Sequence, residues 1–281
     1  MANAPKPTVP KKESSGGSGI FATLVIPICI IIGFCIFFFV MGNKDNFQAT
    51  GDFDPMDENI LPKPGNYFGM AFKGGYIVPV LVGMLLMVIV FSFERFFVIS
   101  KAAGSGNVDA FVKKVQSFLT SGNIEAAIAE CDKQKGSVAN VIKSGLRKYR
   151  ELESDQVMDT EQKCLAIQKD IEEATALEMP MLEQNLTVIA TLVSVGTLTG
   201  LLGTVTGMIR AFSALGSSGG SNSNALASGI SEALINTATG ICTSAVAIIM
   251  YNIFTSKIDK LTYSIDEAGF SIVQTYASTH N

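Results

Sequence analysis

The chain has 281 residues, of which 48% are hydrophobic and only 16% charged, and its net charge is −4. That balance argues against a soluble globular protein, and with no basic patch to offset phosphate charge it implies no nucleic-acid partner. The cysteines Cys29, Cys35, Cys131, Cys164 and Cys242 have no metal-ligand spacing and read as free thiols, so neither a metal nor a cofactor is implied.

Segment 1–19 carries Lys6, Lys11 and Lys12 and reads as a disordered tail. The apolar run Ile20 to Met41 contains no charge and is long enough to cross a hydrocarbon core of about 30 Å. It is too long for a signal peptide and lacks a small-residue cleavage site after Val40, so it reads as an uncleaved anchor over 20–41. A loop, 42–75, leads to the second span, 76–100, which carries Glu94-Arg95 near its end and is followed by Lys101.

Segment 101–185 reads as a helical domain. Its spacing predicts helices over Val108–Thr120, Ile124–Lys133 and Val138–Tyr149, separated by Gly, Ser and Asn. Beyond Asp155 no glycine occurs until Gly196, and Cys164, Ile167, Ile171, Ala174 and Met181 recur at helical spacing. One helix is therefore expected to start far outside the membrane and run through the third span, 186–212. At 1.5 Å per residue it would be about 80 Å long, with a kink at Pro180. A loop, 213–229, and a fourth span, 230–256, lead to a C-terminal helix or tail, 257–281. The expected fold is all-α: a multi-pass transmembrane helical protein with four spans and long helices extending into a cytoplasmic helical domain.

Four crossings place both termini and segment 101–185 on one side, together with Lys101, Lys113, Lys114, Lys257 and Lys260. By the positive-inside rule that side is cytoplasmic, and loops 42–75 and 213–229 are periplasmic.

The last two spans are unusually polar. The third carries Thr191, Thr197, Thr199, Thr204 and Thr206 among Gly196, Gly200, Gly203 and Gly207. The glycines supply the small surfaces that let helix backbones approach closely, so this helix contacts more than lipid. In the fourth, Glu232, Asn236, Thr239 and Thr243 form one stripe, with Thr237 and Ser244 on a neighbouring face. A single intramembrane threonine most often bonds its own i−4 carbonyl and means nothing more. An acid above three polar residues exceeds that explanation and points to a polar pathway or a socket for a partner helix. Threonine does not titrate, and the only side chains charged at neutral pH in these spans are Arg210 and Glu232. A proton crossing here would need a carrier from another chain.

The run Gly200-Leu201-Leu202-Gly203-Thr204-Val205-Thr206-Gly207-Met208-Ile209-Arg210-Ala211-Phe212 resembles a signature of the ExbB/TolQ/MotA proton-channel family. A second match follows over Gly229–Gly240, and Glu94-Arg95-Phe96 is similar to the close of that family's first helix. The resemblance implies a homo-oligomer, a pentamer in the family, walled by the last two spans. It also implies an ExbD-like single-span partner that supplies a membrane aspartate, and a TonB-like protein that the assembly energises for transport across the outer membrane. It places Thr204 and Thr237 at the family's pore threonines and Glu232 at its pore glutamate. Asn236, Thr239 and Thr197 are further ion-pathway candidates. The sequence departs from the pattern in Gly196-Thr197 for Ala-Pro, Thr206 for an aromatic residue, Val246 for proline, and the extra span 20–41.

Other classes fit less well. The one histidine, His280, reads as a solvated tail residue, and glycines 200, 203 and 207 lack the Lys-Ser/Thr of a phosphate loop, so no enzyme is expected. A TolQ-like or motility stator subunit and a non-conducting scaffold ring remain alternatives, whereas a solute transporter should show internal repeats and none is visible.

Overall fold

The computed structural model describes residues 16–48, 54–56, 60–155, 157–217 and 223–280. Most of the N-terminal segment expected to be disordered, and parts of loops 42–75 and 213–229, lie outside the described residues. Among the described residues the regular elements are helices, apart from one isolated β-bridge between Phe47 and Pro62. They are α1 (Gly16–Cys35, extended by a π-helical turn, Ile36–Met41), α2 (Tyr67–Phe72), α3 (Ile77–Ala103), α4 (Val108–Thr120), α5 (Ile124–Gln134), α6 (Gly136–Glu153), α7 (Thr160–Glu183), α8 (Leu186–Ser217) and α9 (Ser223–Thr279). Four helical stretches, in α1, α3, α8 and α9, are long and apolar enough to cross a membrane. The chain divides into two compact units, Met1–Met87 with Thr199–Thr239, and Val88–Leu198 with Gly240–Asn281.

In the first unit, α1 buries Cys29, Gly33, Phe37 and Met41, a single face at every fourth residue, and leaves most of the rest exposed. The face works because Gly33 has no side chain: a Cβ there would lie 2.8 Å from the backbone nitrogen of Gly83 on α3. Past this crossing, Phe37, Met41, Phe47, Phe72 and Val78 form an apolar core, with the Phe37 and Phe72 rings stacked at 4.4 Å. The Asn46 amide donates to the carbonyls of Val40 (2.7 Å) and Met41 (3.0 Å), which the end of the helix leaves without partners.

In the second unit, Asn107, Asn123 and Asp159 cap α4, α5 and α7 by accepting hydrogen bonds from first-turn backbone N–H groups. The C-terminal half of α9 buries Ile258, Leu261, Ile265, Ala268, Ile272 and Tyr276 at three- and four-residue spacing. Gly145 of α6 lies against Ile171 and Ile272. The Tyr276 hydroxyl donates to the Leu152 carbonyl at 3.1 Å, and its ring stacks on His280 at 4.3 Å. His280 is thus half-buried in this packing and is not the solvated tail residue expected.

The long third helix is present as the helical stretch Thr160–Gly216, with one interruption. It is two helices, α7 and α8, separated at Gln184-Asn185, and Pro180 lies inside α7 short of the break. The reason is Arg95 of α3, which is 1% exposed. Its guanidinium donates to the carbonyls of Met181 (3.1 Å) and Leu182 (3.0 Å), which an unbroken helix would have paired with N–H groups one turn on. Glu94 holds the other edge of the guanidinium, and Asn185 donates to Glu94 Oε2 at 3.2 Å. Met181, which continues the spacing of Ile167 and Ile171, is 54% exposed, while Leu182 is buried at 1%.

Candidate functional site

Within the first unit α8 and α9 meet at backbone distance. A Cβ at Gly203 would stand 2.6 Å from Asn236 Cγ, one at Gly207 would stand 3.0 Å from the Ala233 nitrogen, and one at Gly229 would overlap Ala211 Cβ at 2.6 Å. This contact is what the glycine spacing of the third span permits. It brings Thr204 and Thr237 together, with their hydroxyls directly hydrogen-bonded. The Thr204 hydroxyl also lies 3.3 Å from the Gly200 carbonyl, and that of Thr237 lies 3.3 Å from the Ala233 carbonyl.

Each hydroxyl has one proton and two lone pairs, so two patterns satisfy the pair. In one, Thr204 donates to Thr237 and Thr237 donates to Ala233. In the other, Thr237 donates to Thr204 and Thr204 donates to the carbonyl of Gly200 or of Ala233. The arrangement can reverse the direction of a hydrogen-bond chain, but it cannot hold a charge.

Nearer the α8–α9 connection, Arg210 Nη1 donates to Glu232 Oε1 at 2.9 Å, with the Glu232 side chain 11% exposed and that of Arg210 59% exposed. The turn entering α3 presses on the same carboxylate. Gly75 has φ +75°, and a Cβ there would meet the Glu232 carboxyl, so glycine is required on both counts. One residue earlier, the Gly74 carbonyl accepts from Asn236 Nδ2 at 2.9 Å. Asn236 is fully buried, and its Oδ1 has no partner among the described residues.

Of the six candidates, the structure therefore joins Thr204 to Thr237, buries Asn236 against Gly203, and pairs Glu232 with Arg210. Thr239 bonds the Ile235 carbonyl one turn back, at 2.8 Å. Thr197 belongs to the second unit, where its hydroxyl donates to Ser244 Oγ at 2.8 Å beside Gly196. Thr197 lies seven residues before Thr204 and Ser244 seven after Thr237, so the same two helices repeat the hydroxyl pairing after two turns. Back-bonding to an i−4 carbonyl also occurs at Thr191 and Thr206, as expected for isolated intramembrane threonines.

Sequence reasoning noted Arg210 and Glu232 separately and missed their pairing. It also missed Gly74-Gly75, although a Gly-Gly step at the mouth of a span marks a close approach. Among the described residues no group of three or more His, Cys, Asp or Glu side chains could hold a metal ion.

Residues 133–267 match the MotA/TolQ/ExbB proton channel family, and all six candidate residues fall inside the match. The chain is 34% identical over 113 residues to ExbB-like protein 3 of Synechocystis sp., covering 40% of this chain and 54% of that one. It is 26% identical over 154 residues to the Tol-Pal system protein TolQ of Pseudomonas aeruginosa, covering 55% and 67%. It is 32% identical over 93 residues to the biopolymer transport protein ExbB of Xanthomonas campestris pv. campestris, covering 33% and 36%. The chain thus spans roughly half the length of the first of these relatives. With four helices able to cross a bilayer and a match that encloses the paired threonines, the chain is a multi-pass membrane protein that is similar, over just under half of its length, to the MotA/TolQ/ExbB proton channel family.

Proposed function

We propose that this chain is the channel-forming subunit of an ExbB-like motor driven by the proton-motive force. It assembles as a homo-oligomer, a pentamer on the family pattern, with both termini in the cytoplasm. It surrounds an ExbD-like single-span partner whose membrane aspartate carries the proton, and it energises a TonB-like protein for transport across the outer membrane.

The observation that carries this reading is the direct contact of the Thr204 and Thr237 hydroxyls on two glycine-packed helices. The only acidic or basic side chains in these two spans are Arg210 and Glu232, and these two are already paired with each other. A hydroxyl relay with no carboxylate of its own works only beside a borrowed one. Moving one proton through 100 mV supplies about 2.3 kcal/mol, so several protons per step are needed for substantial work.

Thr204→Val and Thr237→Val test the reading in proteoliposomes holding the complete complex. Proton flux should fall to background while the complex still assembles. A non-conducting scaffold would instead keep its full function in both variants, and full flux through the purified chain alone would remove the borrowed carrier. A TolQ-like role is the second reading, supported by the P. aeruginosa TolQ match, which covers 55% of this chain. Rescue of a strain lacking TolQ, without rescue of one lacking ExbB, would select it.

A further inference from the structure

The second unit holds an apolar cavity of about 370 Å³ that none of the preceding chemistry uses. It is lined by Ile89, Ser92, Phe93 and Phe96 of α3 and by Val246 and Met250 of α9. Its volume lies within the range of small-molecule sites, and its wall is almost wholly hydrocarbon. Ser92 stands in that wall, with its hydroxyl oxygen just behind the surface. Ser92 is 6% exposed, and its hydroxyl is buried without a hydrogen-bond partner among the described residues. A buried hydroxyl normally finds a partner, and in a helix the i−4 carbonyl is always on offer. Beside the cavity, the Lys257 ammonium lies 5.1 Å from the centre of the Phe96 ring. It makes no ion pair among the described residues.

We propose that this cavity binds one anionic phospholipid of the adjoining leaflet. An acyl chain fills the space between Ile89, Phe93 and Val246. Lys257 meets the phosphate, and a rotation of the Ser92 side chain brings its unpartnered hydroxyl onto a glycerol-ester carbonyl. The spacing agrees with this order: Ser92 and Phe96 are one helical turn apart, about 6 Å along the axis, with the cation at the Phe96 end. That sequence of apolar, hydrogen-bonding and cationic groups follows a phospholipid from tail through ester to headgroup. Lys257 sets the preference for negative charge, because basic side chains at a membrane surface favour anionic headgroups. Where relatives of the family pattern carry proline, Val246 keeps α9 unbroken along the cavity wall.

The test is native mass spectrometry of the full chain in micelles, titrated with phosphatidylglycerol and, separately, with phosphatidylethanolamine. The wild type should retain one phosphatidylglycerol in preference to phosphatidylethanolamine. Lys257→Gln, at an exposed position, should weaken phosphatidylglycerol about fivefold and erase the preference. Val246→Phe, which fills the cavity, should abolish retention, and Val246→Ala should keep it. Equal retention of both lipids by the wild type, or unchanged retention in both Lys257→Gln and Val246→Phe, overturns the proposal. So does efficient disulfide formation between two copies carrying cysteine at Val246, because a second chain would then occupy the cavity. Should Val246→Phe fail to fold, the Lys257→Gln result decides alone. None of these outcomes depends on whether the chain conducts protons.

Discussion

The contact between α8 and α9 in the first unit and the bundle of α4 to α7 in the second solve the same problem in opposite ways. Between α8 and α9 the backbones nearly touch at Gly207 and Gly229, and Gly203 makes room for the Asn236 side chain. The polar side chains turn to carbonyls of their own helix, as Thr206 and Thr239 do, or to each other, as Thr204 and Thr237 do. In the bundle, aliphatic side chains interlock, and polar side chains are concentrated at helix ends, where Asn107, Asn123 and Asp159 satisfy orphan N–H groups. In hydrocarbon no water meets a loose donor and no hydrophobic force draws helices together, so small size and self-satisfied hydroxyls must serve. In water the hydrophobic force is available, and the vulnerable points become the ends of helices. The first region should therefore be sensitive to added volume, and the second to lost hydrogen bonds.

The largest effect is expected at Arg95, where lost hydrogen bonds meet burial. Arg95→Met strands the Glu94 carboxylate together with the carbonyls of Met181 and Leu182. Removing one member of a buried pair costs about 3–5 kcal/mol, which thermal unfolding in micelles would record. A loss below about 1 kcal/mol would mean that solvent reaches the break between α7 and α8. Next comes Gly203→Val, which adds volume at the closest approach of α8 and α9. Overpacking of this kind costs about 1–3 kcal/mol, and because Asn236 lies directly opposite, both stability and proton flux should fall. If Gly203→Val were neutral while Gly145→Val in the bundle was severe, the proposed contrast in sensitivity would be reversed.

Much of this contrast was legible from residue order. Glycines and threonines in the third span, the polar stripe in the fourth, and the Gly-Asn and Ser-Gly-Asn breaks of the helical domain are local signals with local causes. The misses share one feature. Arg95 acts on residues 86 and 87 positions away, Asn236 on Gly74 across 162, and Arg210 on Glu232 across 22. Periodicity tells which face a residue occupies, not which helix is opposite. Pro180 was an obvious local reason for a bend, yet the chain stays helical through it and breaks where a distant guanidinium takes the carbonyls. Met181 continues the helical spacing of Ile167 and Ile171 yet is exposed, because small drifts in helical phase over many residues move such a position to the surface.

The cap positions give the next smaller effect. Asn123→Ala removes the acceptor for the Ala126 N–H at 3.0 Å and should cost about 1 kcal/mol, with no change in proton flux.

The smallest effect is electrostatic and depends on pH. Hydrogen bonds from Lys114 and then Lys133 hold the Glu130 carboxyl below its ordinary pKa, with attraction to both ammonium groups adding to them and slight desolvation opposing. A group whose pKa is lower folded than unfolded stabilises the fold above the unfolded value, near 4.3, and loses that contribution as pH falls through the folded value. Both lysines are largely exposed, so the contribution is a few tenths of a kcal/mol. Glu130→Gln should therefore melt slightly below the wild type at neutral pH and coincide with it in acid, and added salt should narrow the neutral difference. A gap that persisted in acid would assign Glu130 to packing, because its charge would already be gone.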